Sequence, residues 1–149
     1  MSEMNRVLVK IRGSQVDLAG EESVIEMMAA GKHYLHKGKH YVLYEDTASS
    51  EGSASTVLKF DEHTVTLLRH GSIEHTQEFL PQQESRSAYR TPVGNLEMTV
   101  RTEKLDVDFG TVSGTLDLLY DLAVNGRPQS RNSLHIEVAC APEDKHKLN

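Results

Sequence analysis

The run TLDLLYDLAV, residues 115–124, sets Leu116, Leu118, Tyr120, Leu122 and Val124 on one side of an extended chain. Thr115, Asp117, Leu119, Asp121 and Ala123 fall on the other. Apolar residues at every second position mark a strand with one dry face and one wet face. Val7, Val9 and Ile11 repeat the pattern, as do Leu96, Met98 and Val100, and no helical stripe of any length competes with it. Turn residues punctuate the runs at Gly20, Lys37-Gly38, 47–55, Asp61 to His63, Arg69 to Gly71, Pro81, Pro92 to Asn95, Gly110 to Gly114 and Asn125-Gly126. The segment VIEMMAAG, 24–31, contains helix-favouring Met and Ala, but it is short and lies between strand-like runs, so it too reads as strand.

The chain is therefore all-β, with about eight to ten strands. Strands joined by tight turns must bury one face and hide their edges, and closure into an antiparallel meandering β-barrel does both. A two-sheet β-sandwich has the same period and is the alternative. With 149 residues the chain has the size of one barrel domain, 1–149, ending in a polar tail, PEDKHKLN, at 142–149.

A net charge of -6 with scattered Lys and Arg argues against a nucleic-acid partner, because no basic run faces a series of phosphates. No membrane association is expected either: no apolar stretch approaches the length of a spanning helix, and MSEMNRVLVKIRG alternates instead of building a signal-peptide core. With Cys140 the single cysteine, these features point to a reducing, cytoplasmic setting. Cys140 shares strand parity with Leu134, Ile136 and Val138, which predicts a buried thiol rather than a nucleophile.

Three histidines in KHYLHKGKHYVLYE, residues 32–45, invite a zinc site, since on a helix His33, His36 and His40 would line one face. A Lys37-Gly38 turn makes the segment a hairpin instead, pairing Leu35 with His40 and His33 with Val42. His36 then points away from the other two, so the histidines read as solvated strand residues and no metal is expected.

A second hairpin, TVTLLRHGSIEHTQEF, reads as turning through Arg69-His70-Gly71, with Val65 opposite His75 and Leu67 opposite Ile73. That register sends His75, Gln77 and Phe79 to the apolar face and leaves Arg69 solvated at the turn. His75 and Gln77 become candidates for orienting a ligand inside the barrel. The acidic set Asp106, Asp108, Asp117 and Asp121 falls on two adjacent strands. Without the glycine-pivoted loop that gathers oxygen ligands, it reads as a solvated outer face offset by Lys104 and Arg101. P-loop, dinucleotide, zinc-protease and nucleophile-elbow motifs are absent, so no catalytic residue and no cofactor is assigned.

The runs GKHYLHKGKHYVLYE, LLRHGSIEHTQEF and YRTPVGNLEMTVRTEKL, followed by GTLDLLYDLAVNG and NSLHIEV, together resemble the bacterial YwiB-like proteins. This is a domain-of-unknown-function family placed among the lipocalin-like, or calycin, β-barrels. The resemblance runs from about Val7 to Val138 and is most specific at Arg69, Gly71, Tyr89, Thr91-Pro92, Gly94, Leu96 and Tyr120. It implies a fold and no activity, and it transfers no functional residue. Tyr34, Tyr41 and Tyr44 match aromatic positions of the family, whereas the histidines do not.

Tyrosine joins an apolar body to a hydroxyl that needs a partner, which suits a strand-lined pocket. Tyr44, Tyr89 and Tyr120 are therefore candidate ligand-binding residues, together with His75 and Gln77. The expected function is non-enzymatic binding of a small, mostly apolar ligand in the barrel interior. One alternative is an interaction or structural barrel acting as a homodimer, for which Leu119 and Ala123 offer a partly dry outer face. The least supported is a hydrolase with His75 as its base.

Overall fold

The computed structural model describes residues 4–46 and 54–141. The expected polar tail at 142–149 and most of the expected loop at 47–55 lie outside the described residues. Ala54 and Ser55 already belong to a strand.

Ten strands follow one another: β1 (Asn5–Asp17), β2 (Glu22–His36), β3 (Lys39–Asp46), β4 (Ala54–Phe60), β5 (Val65–Gly71), β6 (Glu74–Phe79), β7 (Glu84–Thr91), β8 (Gly94–Phe109), β9 (Gly114–Val124) and β10 (Arg127–Cys140). Each pairs antiparallel with its sequence neighbour, and β1 pairs with β10, so the meander closes into a barrel. Closure leaves no outermost strand and excludes the sandwich. VIEMMAAG lies within β2: tertiary pairing with β1 overrides the helix preference of its Met and Ala residues.

Two tight turns have the backbone that their sequences demand. Lys37 and Gly38 both adopt positive φ, 51° and 78°, and so do Asn125 and Gly126, 51° and 81°. That conformation matches the right-handed twist of the flanking strands. It gives the first hairpin the expected register, His33 with Val42 and Leu35 with His40.

The second hairpin differs from expectation. Strand β5 continues through Gly71, the chain turns at Ser72-Ile73, and Val65 pairs with Phe79, Leu67 with Gln77 and Arg69 with His75. Two contacts explain the longer strand: Glu74 Oε2 accepts the Gly71 N–H at 3.0 Å, and Ile73 is fully buried. Arg69 is thus an interior strand residue, not a solvated turn residue. Because the turn moved by an even number of residues, His75, Gln77 and Phe79 still face inward.

In β8 the inward parity changes. Thr102 pairs with Tyr120 but Lys104 with Leu119, so Glu103 is the extra residue of a β-bulge. Val100 and Thr102 face inward before it, and Leu105, Val107 and Phe109 after it. On the outside, Asp106 meets Lys104 as expected. Asp117 is held by His135 and Asp121 by Arg131, rather than by Arg101.

The interior is divided along the barrel axis. At the end carrying the 37–38, 61–64, 80–83 and 110–113 connections, Val7, Val9, Val42, Leu58, Phe60, Val65, Phe79, Leu116 and Val138 form a continuous core. His33 belongs to this end. It is buried, 1% exposed, and not solvated as expected, because Phe60 and Phe109 close over the His33–His40 pair. Cys140 is exposed, against the expected burial: it shares inward parity with Val138 but sits at the last position of β10, past the packed layer.

Gly31 shows how tightly the wall is drawn. A Cβ at this position would stand 2.6 Å from the carbonyl oxygen of Leu43 and 3.3 Å from Val9. Gly31→Ala is therefore expected to lower unfolding free energy by about 2 kcal/mol in urea denaturation. An unchanged midpoint would show that β2 and β3 can separate without cost.

Candidate functional site

At the opposite end, the described residues leave the interior unfilled. The upper parts of β1, β2, β8 and β10 enclose a cavity of about 600 Å³ with β3, β5, β7 and β9. The dry part of its wall is Ile11, Ile25, Met27, Leu67, Met98 and Leu134. Inward positions of long strands supply these residues, so the period of two that fills the closed end lines the open one. A volume of several hundred cubic ångströms with apolar walls and a few polar groups is typical of small-molecule sites.

Of the five residues expected to bind a ligand, Tyr44, Tyr89 and Tyr120 line this cavity. The other two tyrosines at family-matching positions, Tyr34 and Tyr41, stack on each other on the outer face at 4.7 Å. His75 and Gln77 lie behind the lining, in a hydrogen-bonded chain within the wall. Gln77 Nε2 donates to the Glu78 carbonyl at 2.9 Å, which turns Oε1 toward Ser87. Ser87 Oγ donates to that oxygen at 2.9 Å, so the 2.9 Å contact between Ser87 Oγ and His75 Nε2 has the imidazole as donor. His75 Nδ1 is then the acceptor nitrogen, and it is buried without a hydrogen-bond partner among the described residues.

This chain crosses a weak place in the wall. Strands β6 and β7 share two register pairs, Glu74 with Arg90 and His75 with Tyr89. Below them, the Ser87–Gln77 hydrogen bond ties one strand to the other.

Sequence reasoning missed Arg69, Ser87 and Asn132. Arg69 reaches the cavity from β5, flanked by its register partners Thr56 and His75. Its inward parity with Val65 and Leu67 was the available signal. Burial, reinforced by the Arg69 charge, pushes the His75 pKa down to about 4, and its hydrogen-bonding to Gln77 opposes this only in part. Burial raises the Tyr120 pKa, with Arg69 opposing. One guanidinium therefore exerts its field on both a histidine and a tyrosine. Tyr89 packs edge-on against His75 with centroids 5.1 Å apart, and Tyr120 does the same against Phe79 at 5.0 Å.

The histidines of the first hairpin lie at the closed end, away from this cavity. Asn5 Nδ2 donates to His33 Nδ1 at 3.3 Å, and His33 Nε2 then donates to His40 Nδ1 at 2.9 Å. His36 is on the outer face, edge-on to Tyr41. Among the described residues, no group of three or more His, Cys, Asp or Glu side chains converges on a point where a metal ion would sit.

A family model described as "Domain of unknown function (DUF1934)" matches residues 9–136. The uncharacterized β-barrel protein YwiB of Bacillus subtilis (strain 168) is 24% identical over 123 residues, covering 83% of this chain and 86% of that protein. The crystal structure of the ywiB protein from Bacillus subtilis superposes with a TM-score of 0.85 at 22% identity, covering 93% of this chain and 94% of that one. At that identity the superposition establishes the shared fold.

The buried imidazoles make stability depend on pH. His75, His33 and His40 all have folded pKa values below the ordinary 6.5, with burial the first cause in each. Between about pH 6.5 and 4, these three take up protons in the unfolded chain that they refuse in the folded one, so the stability they contribute falls as pH falls through that window. Thermal melts from about pH 7.5 down to about pH 4 are expected to show a declining Tm. His75→Gln should flatten the decline, and a slope unaffected by that substitution would contradict the assignment.

Proposed function

Since the chain belongs to the DUF1934 family, whose description assigns no activity, we propose that it is a non-enzymatic barrel enclosing a small, mostly apolar molecule in the open half of its interior. The observation that carries this reading is the cavity of about 600 Å³, walled by apolar side chains and bordered by Tyr44, Tyr89 and Tyr120. A lipocalin-like use of a β-barrel agrees with it: the closed end supplies stability and the open end supplies space. The single cysteine suits a reducing, cytoplasmic location.

The hydroxyl–imidazole pair in the wall favours binding over hydrolysis. A general base must accept the nucleophile's proton, whereas Ser87 gives its proton to Gln77 and receives one from His75. Among the described residues, no carboxylate sits on the second nitrogen of His75 to orient it for catalysis. The homodimer reading draws support from Val24 and Met28, which are 45% and 60% exposed on β2.

Titration with Nile red, an apolar fluorescent probe, is expected to show saturable one-site binding with blue-shifted emission. Met27→Trp, which places an indole in the cavity, should weaken that binding by about tenfold or more while the fold is retained. Native mass spectrometry of protein from its own cells should show a retained small molecule. A mass spectrum showing only empty dimers, with no saturable probe binding, would overturn the proposal in favour of self-association.

A further inference from the structure

Strand β2 is paired along most of its length on one side and along less than half of it on the other. Its register with β1 runs from Asn5–His33 to Val16–Glu22, whereas its register with β3 spans only Gly31–Tyr44 to His36–Lys39. Residues 22–30 therefore have no register partner on the β3 side among the described residues. The parting is made by β3 itself. Glu45 and Asp46 continue that strand, but they keep Ser55 and Ala54 of β4 and leave β2. What remains on β2 is a strand edge about 30 Å long at the usual rise per residue.

Such an edge is a template for another strand, and proteins ordinarily blunt one with Lys, Pro or a bulge. The run ESVIEMMAA, 22–30, contains neither Lys nor Pro, and its ladder with β1 has no register shift. It is apolar on both faces: Val24 and Met28 stand exposed outside, and Ile25, 56% exposed, and Met27 face the cavity. The charge at its centre, Glu26, is balanced within the chain by Arg12 at 3.1 Å.

From this edge we propose that the chain forms a two-fold symmetric dimer in which the 22–30 edges of two copies pair antiparallel. Opposed residues of an antiparallel pair share a face. A two-fold axis through Glu26 therefore sets Val24 against the partner's Met28 outside and Ile25 against the partner's Met27 inside. The wall β8-β9-β10-β1-β2 then continues without a break into its copy. A second copy fits better than a flexible peptide, because its strand is already extended along β1 and pairing orders nothing new. The contact is isologous, so it uses both edges and closes on itself. It requires no occupant in the cavity.

Sedimentation velocity on the full chain, from about 1 μM to about 500 μM, is expected to show the mass rise from one chain to two. Hydrogen exchange at the two ends of that range should show amide protection increasing with concentration at 22–30. Val24→Lys combined with Met28→Lys, which sets like charges opposite each other, should raise the dimer dissociation constant by about a hundredfold or more. Val93→Lys, at an exposed site on the β7–β8 turn, should leave it within about twofold. The wild-type measurements decide even if the double variant fails to fold. A monomer throughout, or a dimer whose protection lies outside 22–30 or that ignores both lysines, would overturn the dimer. Protection of 22–30 in a strict monomer would do the same and assign the edge to another segment of this chain. Nile red binding by a strict monomer would remove the dimer alone and leave the binding function standing.

Discussion

The backbone pairing of β1 with β10 is the constraint on which the rest of the structure depends. It runs from Val7 with Cys140 to Asp17 with Ser130 and joins the two ends of the meander. Without it the sheet would have two long outer strands and no distinction between inside and outside. With it, every strand has a face turned to a closed interior, and a period of two becomes a choice between core and solvent. The β8 bulge at Glu103 belongs to the same logic. It lets the longest strand, β8, follow the wall while returning Leu105, Val107 and Phe109 to the interior.

Closure alone does not say how the interior is filled, and here residue size decides. Phenylalanines, β-branched residues and leucines meet at one end: Phe60, Phe79, Phe109, Val7, Val9, Val42, Leu58 and Leu116. At the other end the inward positions of β1 and β2 are Gly13, Gln15, Ser23 and Ile25, three of them small or polar, so the wall stands without meeting itself across the axis. Into that half the chain brings an arginine whose field reaches His75 and Tyr120. Stability and capacity are thus segregated along the barrel axis.

Much of this was legible in the sequence, because parity survives errors that register does not. The second hairpin turns at Ser72-Ile73 rather than at Arg69 to Gly71, yet the displacement is even, so His75, Gln77 and Phe79 remained inside. The same displacement hid Arg69, which glycine at 71 made look like a turn residue. Depth along the barrel is the quantity that alternation does not encode. Cys140 and His33 both have inward parity, but one stands at a strand end in solvent and the other lies under Phe109. Tyr44, Tyr89 and Tyr120 line the cavity as expected of tyrosines at inward positions, which need both an apolar wall and a partner for the hydroxyl. Ser87 was not expected, since nothing in SRSAYR distinguishes it from a solvated serine.

The seam between β6 and β7 gives the barrel an unequal circumference. Elsewhere the hoop is fastened by long ladders of peptide hydrogen bonds. Here it is fastened by two register pairs and a clasp of side chains, Ser87 on Gln77 and His75 on Ser87. A clasp opens at the cost of a few side-chain hydrogen bonds, whereas a ladder must be unzipped residue by residue. The wall therefore has a built-in line of parting, and it passes beside the cavity at Tyr89. Loss of that clasp would loosen the circumference there while leaving the β1–β10 closure intact.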